Sequence, residues 1–167
     1  MSTNKTNRTT GQDAVALLTA DHKAVKALFK QFEALSRQDD ADEEKAALVA
    51  RICDEISVHA QVEEEIFYPA VREALGDDAL MDDALAEHAE AKALIAEIKG
   101  MNATSSKYDA TVRKLAKAID EHVLEEREQI FLQAMQSPLD LRGLAVLLYE
   151  RKKQLSMASA HPVKEKA

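Results

Sequence analysis

Four histidines, His22, His59, His88 and His122, each fall inside a regular helical segment, and two of them carry a glutamate four residues on: His59 with Glu63, and His122 with Glu126. Four residues of α-helix turn through one revolution plus about 40°, so each His/Glu pair leaves its helix on one side. Imidazole and carboxylate are ligands of first-row metal ions, and helical bundles build such centres from side chains on facing helices. Taken singly, each group has a plainer explanation. A lone histidine on an apolar stripe is a hydrogen-bonded core residue, and a lone HxxxE is an exposed helical pair. Six such residues at one depth are a different matter, because burying carboxylates and imidazoles uncompensated costs several kcal/mol. Metal ions supply the compensation, and their affinity then becomes part of the folding free energy.

The elements that must position these groups are helices. Only four Gly and three Pro occur in 167 residues, while Ala, Leu, Glu and Lys abound, a mix that favours helix and leaves little turn chemistry for hairpins of strand. The length suits one domain with a core that needs no staples. Apolar spacing and end signals predict five helices, over about Asp13–Leu35, Glu43–Leu75, Asp78–Lys99, Ser106–Met135 and Leu139–Ser156. Pro69 inside the second predicts a kink or local break near Phe67–Tyr68. Gly76 with two aspartates marks a stop and a new start, Gly100 reads as a C-cap, and Ser137-Pro138 ends the fourth helix. The LAVLLY core of the fifth predicts that it docks on the others. Residues 1–11 read as a flexible, polar N-terminal arm without the apolar region of a signal peptide, 12–157 as the bundle domain, and 158–167 as a flexible tail. His161, in that tail beside Pro162, is not expected to be a ligand.

An internal repeat organises the helices. DHKAVKALFKQF from Asp21 matches EHAEAKALIAEI from Glu87, and HAQVEEEIF from His59 matches HVLEEREQIF from His122. The His22–His59 and His88–His122 separations are 37 and 34 residues. One helical hairpin is thus used twice, which predicts an all-α, antiparallel up-down-up-down four-helix bundle with an additional C-terminal helix. At about 1.5 Å of rise per residue, the loop positions bring all four histidines within roughly two turns of one level.

Composition narrows the function. A net charge of −8, from 22 Lys+Arg against 30 Asp+Glu, with no basic stripe, speaks against nucleic acid and anionic membrane as partners. No apolar run approaches a membrane span. Cys53 stands alone, which fits a reducing cytoplasm and a small buried side chain rather than a disulfide. With no cysteine in the layer, thiolate sites are excluded. Each hairpin contributes two His and one Glu, the 2-His-1-carboxylate set associated with non-haem iron, and the glutamates can bridge two ions. Manganese or zinc suits the same ligands; iron is favoured.

These residues, DH22, H59xxxEEEIFYP, EH88 and H122xxxE126, resemble the hemerythrin-like family, also called the HHE cation-binding domain, over about residues 13–135. The resemblance implies a four-helix bundle around two non-haem Fe ions in an oxo- or hydroxo-bridged di-iron centre. It makes His22, His59, His88 and His122 terminal ligands, and Glu63 and Glu126 carboxylate bridges. Members bind dioxygen, sense oxygen or iron, or take part in peroxide and nitric-oxide chemistry. The oxygen-carrying members have a fifth histidine one turn after the third, and here that place is Lys92. One iron is therefore expected to keep an exchangeable position. Three function classes follow: a protein that binds or senses dioxygen or a related small oxidant, an enzyme drawing on an external electron donor, and a helical interaction module with a structural metal. Among neighbouring residues, Glu64 and Glu125 read as surface or orienting groups, and Asp21 and Glu87 as solvated or imidazole-orienting. Phe67, Ile66, Ile130 and Phe131 read as an apolar wall. Tyr68, Tyr108 and Tyr149 give no spacing signal for a ligand role.

Overall fold

The computed structural model describes residues 12–160, and every regular element among them is helical. Asp13 caps α1 (Ala14–Ser36), its carboxylate accepting the Ala16 N–H at 2.8 Å. The next helix, α2 (Asp42–Val62), opens with Asp42, Glu43 and Glu44, whose charges complement the positive end of the helix dipole. It passes without interruption into a π-helical stretch, Glu63–Phe67, and then α3 (Tyr68–Leu75). Gly76, at φ +68°, closes α3 in the left-handed conformation that glycine adopts without steric cost.

Asp77 caps α4 (Asp78–Lys99) by accepting the Leu80 N–H at 3.0 Å. The expected C-cap Gly100 is present but right-handed, at φ −86°. Ser105 caps α5 (Ser106–Glu125), which runs into a second π-helical stretch, Glu126–Phe131, and α6 (Leu132–Gln136). The last helix, α7 (Leu141–Ala160), extends three residues into the stretch read from sequence as tail. The N-terminal arm, and the tail from 161 with His161, lie outside the described residues.

Pro69 does not break the second helix. The break expected at Phe67–Tyr68 is instead a widening, in which the Tyr68 N–H reaches back five residues to the Glu63 carbonyl. A π turn tolerates the missing proline N–H because the hydrogen-bond ladder is already displaced there. The second π stretch contains no proline, and nothing in the sequence signalled it.

α1 packs on α2 and α4 on α5, the two hairpins that the repeat predicts, and α7 lies against α1 and α2. The apolar core is divided. One cluster gathers Leu18, Val62, Phe67, Met81, Phe131 and Leu148; the other gathers Phe32, Val49, Ile52, Ile95, Val112 and Leu115. On α1, α2, α4 and α5 alike, the histidine falls where one cluster gives way to the other. A polar layer thus sits between two apolar plugs. Cys53 is buried in the second cluster, and burial pushes its thiol up to about 11, which leaves it unreactive.

Candidate metal centre

The six residues singled out by spacing meet in that layer. Glu63 and Glu126 are 0% and 1% exposed, and His59, His88 and His122 are buried with them, His22 nearly so. They form two groups that share Glu63: His22, His59, Glu63 and Glu126 on one side, Glu63, His88 and His122 on the other, with the potential ligand atoms of each group within 4.8 Å of one another. Glu63 Oε1 lies 3.3 Å from His59 Nε2 and 3.1 Å from His88 Nε2. Glu126 reaches His22 Nε2 with Oε1 at 3.0 Å and His122 Nε2 with Oε2 at 3.6 Å. Each glutamate therefore spans both groups. Each hairpin contributes two histidines and one glutamate; the histidines pair within hairpins, and each carboxylate reaches histidines of both.

Acids behind three of the imidazoles fix their orientation. His59 Nδ1 donates to Asp21 Oδ2 at 2.9 Å, His88 Nδ1 to Glu64 Oε2 at 2.7 Å, and His122 Nδ1 to Glu87 Oε1 at 2.6 Å. Asp21 and Glu87 each serve the histidine across the hairpin rather than their own neighbour in sequence. With the proton on Nδ1, each Nε2 turns its lone pair inward. The Nε2 atoms of His88 and His122 are then only 3.2 Å apart, as are those of His22 and His59. Glu63 Oε2 is buried with no hydrogen-bond partner among the described residues, and Glu126 Oε1, equally buried, has only the His22 Nε2 in reach. Facing lone pairs and an orphaned carboxylate oxygen are what a pair of cations would satisfy, so the donor set fits metal ions.

Without metal, protons serve in that place. Burial alone would lower the pKa of His122, but Glu126, Glu63 and Glu87 outweigh it and lift the group to about 9. Burial likewise opposes protonation of His59, and Glu63 and Asp21 override it to raise that group well above the ordinary range. Burial would raise Glu126, yet His122 and His22 hold it well below the usual carboxylate value.

Tyr68 is the residue that spacing missed. Its hydroxyl lies 3.2 Å from Glu63 Oε1, 3.3 Å from His88 Nε2 and 3.4 Å from His122 Nε2, and it donates to Glu126 Oε2. In an α-helix, a residue five beyond Glu63 points about 140° away. The π turn between them returns it to the same side. Pro69 was the one available hint that helical register changes here. The matching position in the second hairpin, nine residues after His122, is Phe131. The two aromatics are used alike: Phe131 stacks on His22, with ring centroids 5.7 Å apart, and Tyr68 tilts over His88 at 5.3 Å. One half of the centre thus carries a phenol where the other carries a phenyl ring.

The remaining neighbours complete the shell. Lys92 turns outward and donates to Glu64 Oε1 at 2.8 Å, so its ammonium stays off the layer and steadies the acid behind His88. Lys152, from α7, does the same for Asp21. On the other side of the histidines, a cavity of about 30 Å³ is lined by Val25, Ile56, Ala60, Ala91, Ile95 and Ile119. That is room for a diatomic molecule or about two waters.

A helical protein whose mid-layer turns imidazole and carboxylate lone pairs inward belongs to the histidine–carboxylate class of cation-binding proteins. More narrowly, the chain is a member of the hemerythrin HHE cation-binding domain family, whose model matches residues 13–134. The crystal structure of an HHE cation-binding domain protein from Mycobacterium kansasii superposes with a TM-score of 0.75 at 20% identity, covering 93% of this chain and 94% of that one. A protein of Nostoc sp. (strain PCC 7120) described as a DNA nickase is 28% identical over 120 residues, 72% of this chain. The chain spans about a third, 32%, of that relative's length.

Proposed function

We propose that the chain is a non-haem di-iron protein that binds dioxygen or a related small oxidant, or reports on oxygen or iron. Its ligands would be His22 and His59 for one ion and His88 and His122 for the other, with Glu63 and Glu126 within reach of both. The carrying observation is the pair of Nε2 atoms, on His88 and His122, held 3.2 Å apart by carboxylates on their far sides. When bound, two iron ions would supply electrons to a small oxidant. The chain's own part is to hold the imidazoles in one tautomer, to keep bulk water out with the two apolar plugs, and to leave a small apolar cavity beside the ions. We read the helix order, with its paired hairpins and docked α7, as an up-down-up-down bundle with one helix added.

A second reading, redox turnover of peroxide or nitric oxide with an external electron donor, is favoured by Tyr68. Its phenol adds an oxygen donor and a proton within reach of both glutamates. Burial first, then Glu63 and Glu126, raise the phenol well above its ordinary value in the absence of metal; nearby cations reverse that logic. Lys92 on Glu64 leaves the position of the carriers' fifth histidine unfilled. A cytoplasmic setting accords with the free, buried thiol of Cys53, and no described helix is long and apolar enough to cross a membrane. Neither nucleic acid nor membrane is a partner in this reading, given the charge of −8.

Metal analysis and a visible spectrum of protein purified in air test the proposal. Two irons per chain with ferric charge-transfer absorption are expected. One metal per chain, or tightly held zinc after iron-replete expression, refutes it.

A further inference from the structure

Three of the four histidines have a carboxylate on Nδ1, and His22 has none. Its polar contacts among the described residues run through Nε2 alone, to His59 and Glu126. The repeat shows what is missing. Glu64, the acid behind His88, directly follows Glu63; the residue directly following Glu126 is Arg127. At the place where symmetry calls for a carboxylate, the chain carries a guanidinium.

His22 and Arg127 line one cavity of about 480 Å³, together with Lys23, Lys26, Thr19 and Asp120. Three cations face a single acid there, and none of the three makes an ion pair among the described residues. The corresponding cation of the other half, Lys92, is already neutralised by Glu64. Unpaired like charges around one hollow repel, and an anion relieves that repulsion. The donors are of the kind that suits oxygen acids: a planar guanidinium, ammonium groups and an imidazole N–H, which together bind two or three oxygens from different directions.

We propose that this cavity binds a small oxyanion, a carboxylate or a phosphate, which accepts the His22 Nδ1 proton and takes the role that Glu64 plays behind His88. The chain thus leaves the setting of one imidazole to a solute. The bound anion fixes the His22 tautomer with Nε2 facing Glu126, and its presence or absence makes the two halves of the centre alike or unlike. The consequence for the centre rests on the metal reading above; the cavity and its cations do not.

Metal-loaded protein is titrated calorimetrically with sodium formate and, separately, sodium phosphate, at constant ionic strength in chloride, with metal content measured in parallel. One saturable site per chain is expected for at least one anion, and the stronger of the two identifies the headgroup. Arg127→Glu, which supplies the missing carboxylate from the chain, should weaken binding roughly tenfold or more, the scale of losing a charge-assisted pair and gaining a repulsion. Lys26→Gln, a milder change remote from the ligands, should weaken it several-fold. Lys114→Gln, which removes an exposed charge outside the cavity, should leave it unchanged. Absence of a saturable site for both anions overturns the proposal, as does full-strength binding in both Arg127→Glu and Lys26→Gln. If iron is present and no anion binds, this inference alone fails; if an Arg127-dependent anion binds and no iron is present, the metal reading fails.

Discussion

Removing the metal should leave a protein whose stability falls as pH rises through the neutral range. In the metal-free chain, His122 titrates at about 9 against an ordinary value of 6.5. A group raised in the folded state stabilises the fold fully below its unfolded pKa and loses that contribution as pH climbs to the folded value. The window is therefore about pH 6.5 to 9. Raised from 6.5 to about 9, this group contributes on the order of 3 kcal/mol. His59, also raised, acts in the same direction. Glu126, held low, contributes above the ordinary carboxylate range and does not change within this window. For a domain of this size, roughly 3 kcal/mol corresponds to a drop in Tm of about 6–12 °C. Thermal melts of chelator-treated protein, followed by circular dichroism from pH 6 to 9.5 at fixed ionic strength, measure it. Metal-loaded protein should not show the fall, because metal and proton compete for the same Nε2 atoms and rising pH favours the metal. A Tm of the metal-free protein that stays flat or rises between pH 6.5 and 9 would refute the assignment of protons to the layer.

Other perturbations separate the roles of single residues. Glu63→Ala and Glu126→Ala each remove an oxygen donor shared by both groups and should leave one metal ion per chain or none, whereas His161→Ala should leave metal content unchanged; elemental analysis decides. Tyr68→Phe should retain the fold and both ions but lose any visible band that arises from phenolate-to-ferric charge transfer; an unaltered spectrum would place the phenol outside the coordination sphere. Lys92→His should bind iron more tightly and prolong a dioxygen adduct, whereas the unmodified reduced protein should autoxidise rapidly in air. A long-lived, reversible adduct in the unmodified protein would favour carriage over turnover.

What the sequence disclosed depended on helical period. Apolar stripes, Asp13, Gly76 and Ser137-Pro138 located the helices closely, and the doubled motif brought His22, His59, His88, His122, Glu63 and Glu126 to one depth. Each of these signals is local or repeats along one helix. Contacts between helices were less visible. That Asp21 orients His59, and Glu87 orients His122, depends on which way each hairpin partner is rotated, which a stripe leaves free by tens of degrees. Tyr68 escaped for another reason: spacing rules assume 3.6 residues per turn, and the π turn after Glu63 breaks that assumption at the one place where it mattered. His22 without an acid, and Arg127 opposite it, become meaningful only once the other three histidines are seen to have theirs.

The π turns also mark two places where a helix interior holds one residue more than α-helical geometry requires. Losing a single residue from Glu64–Ile66 would let the backbone relax into uninterrupted α-helix. Tyr68, then four residues after Glu63, would stand only about 40° round from it, so everything from Phe67 onward would keep its facing toward the centre. Tyr68 would stay at the centre and Phe67 in the plug beside it, and only Pro69, entering a regular ladder, would oppose the change. The same deletion in the turn between Ser36 and Asp42 would shorten a surface connection and leave the helical register intact. A map of tolerated one-residue deletions should therefore show two narrow permissive zones inside otherwise forbidding helices, each beginning at a glutamate.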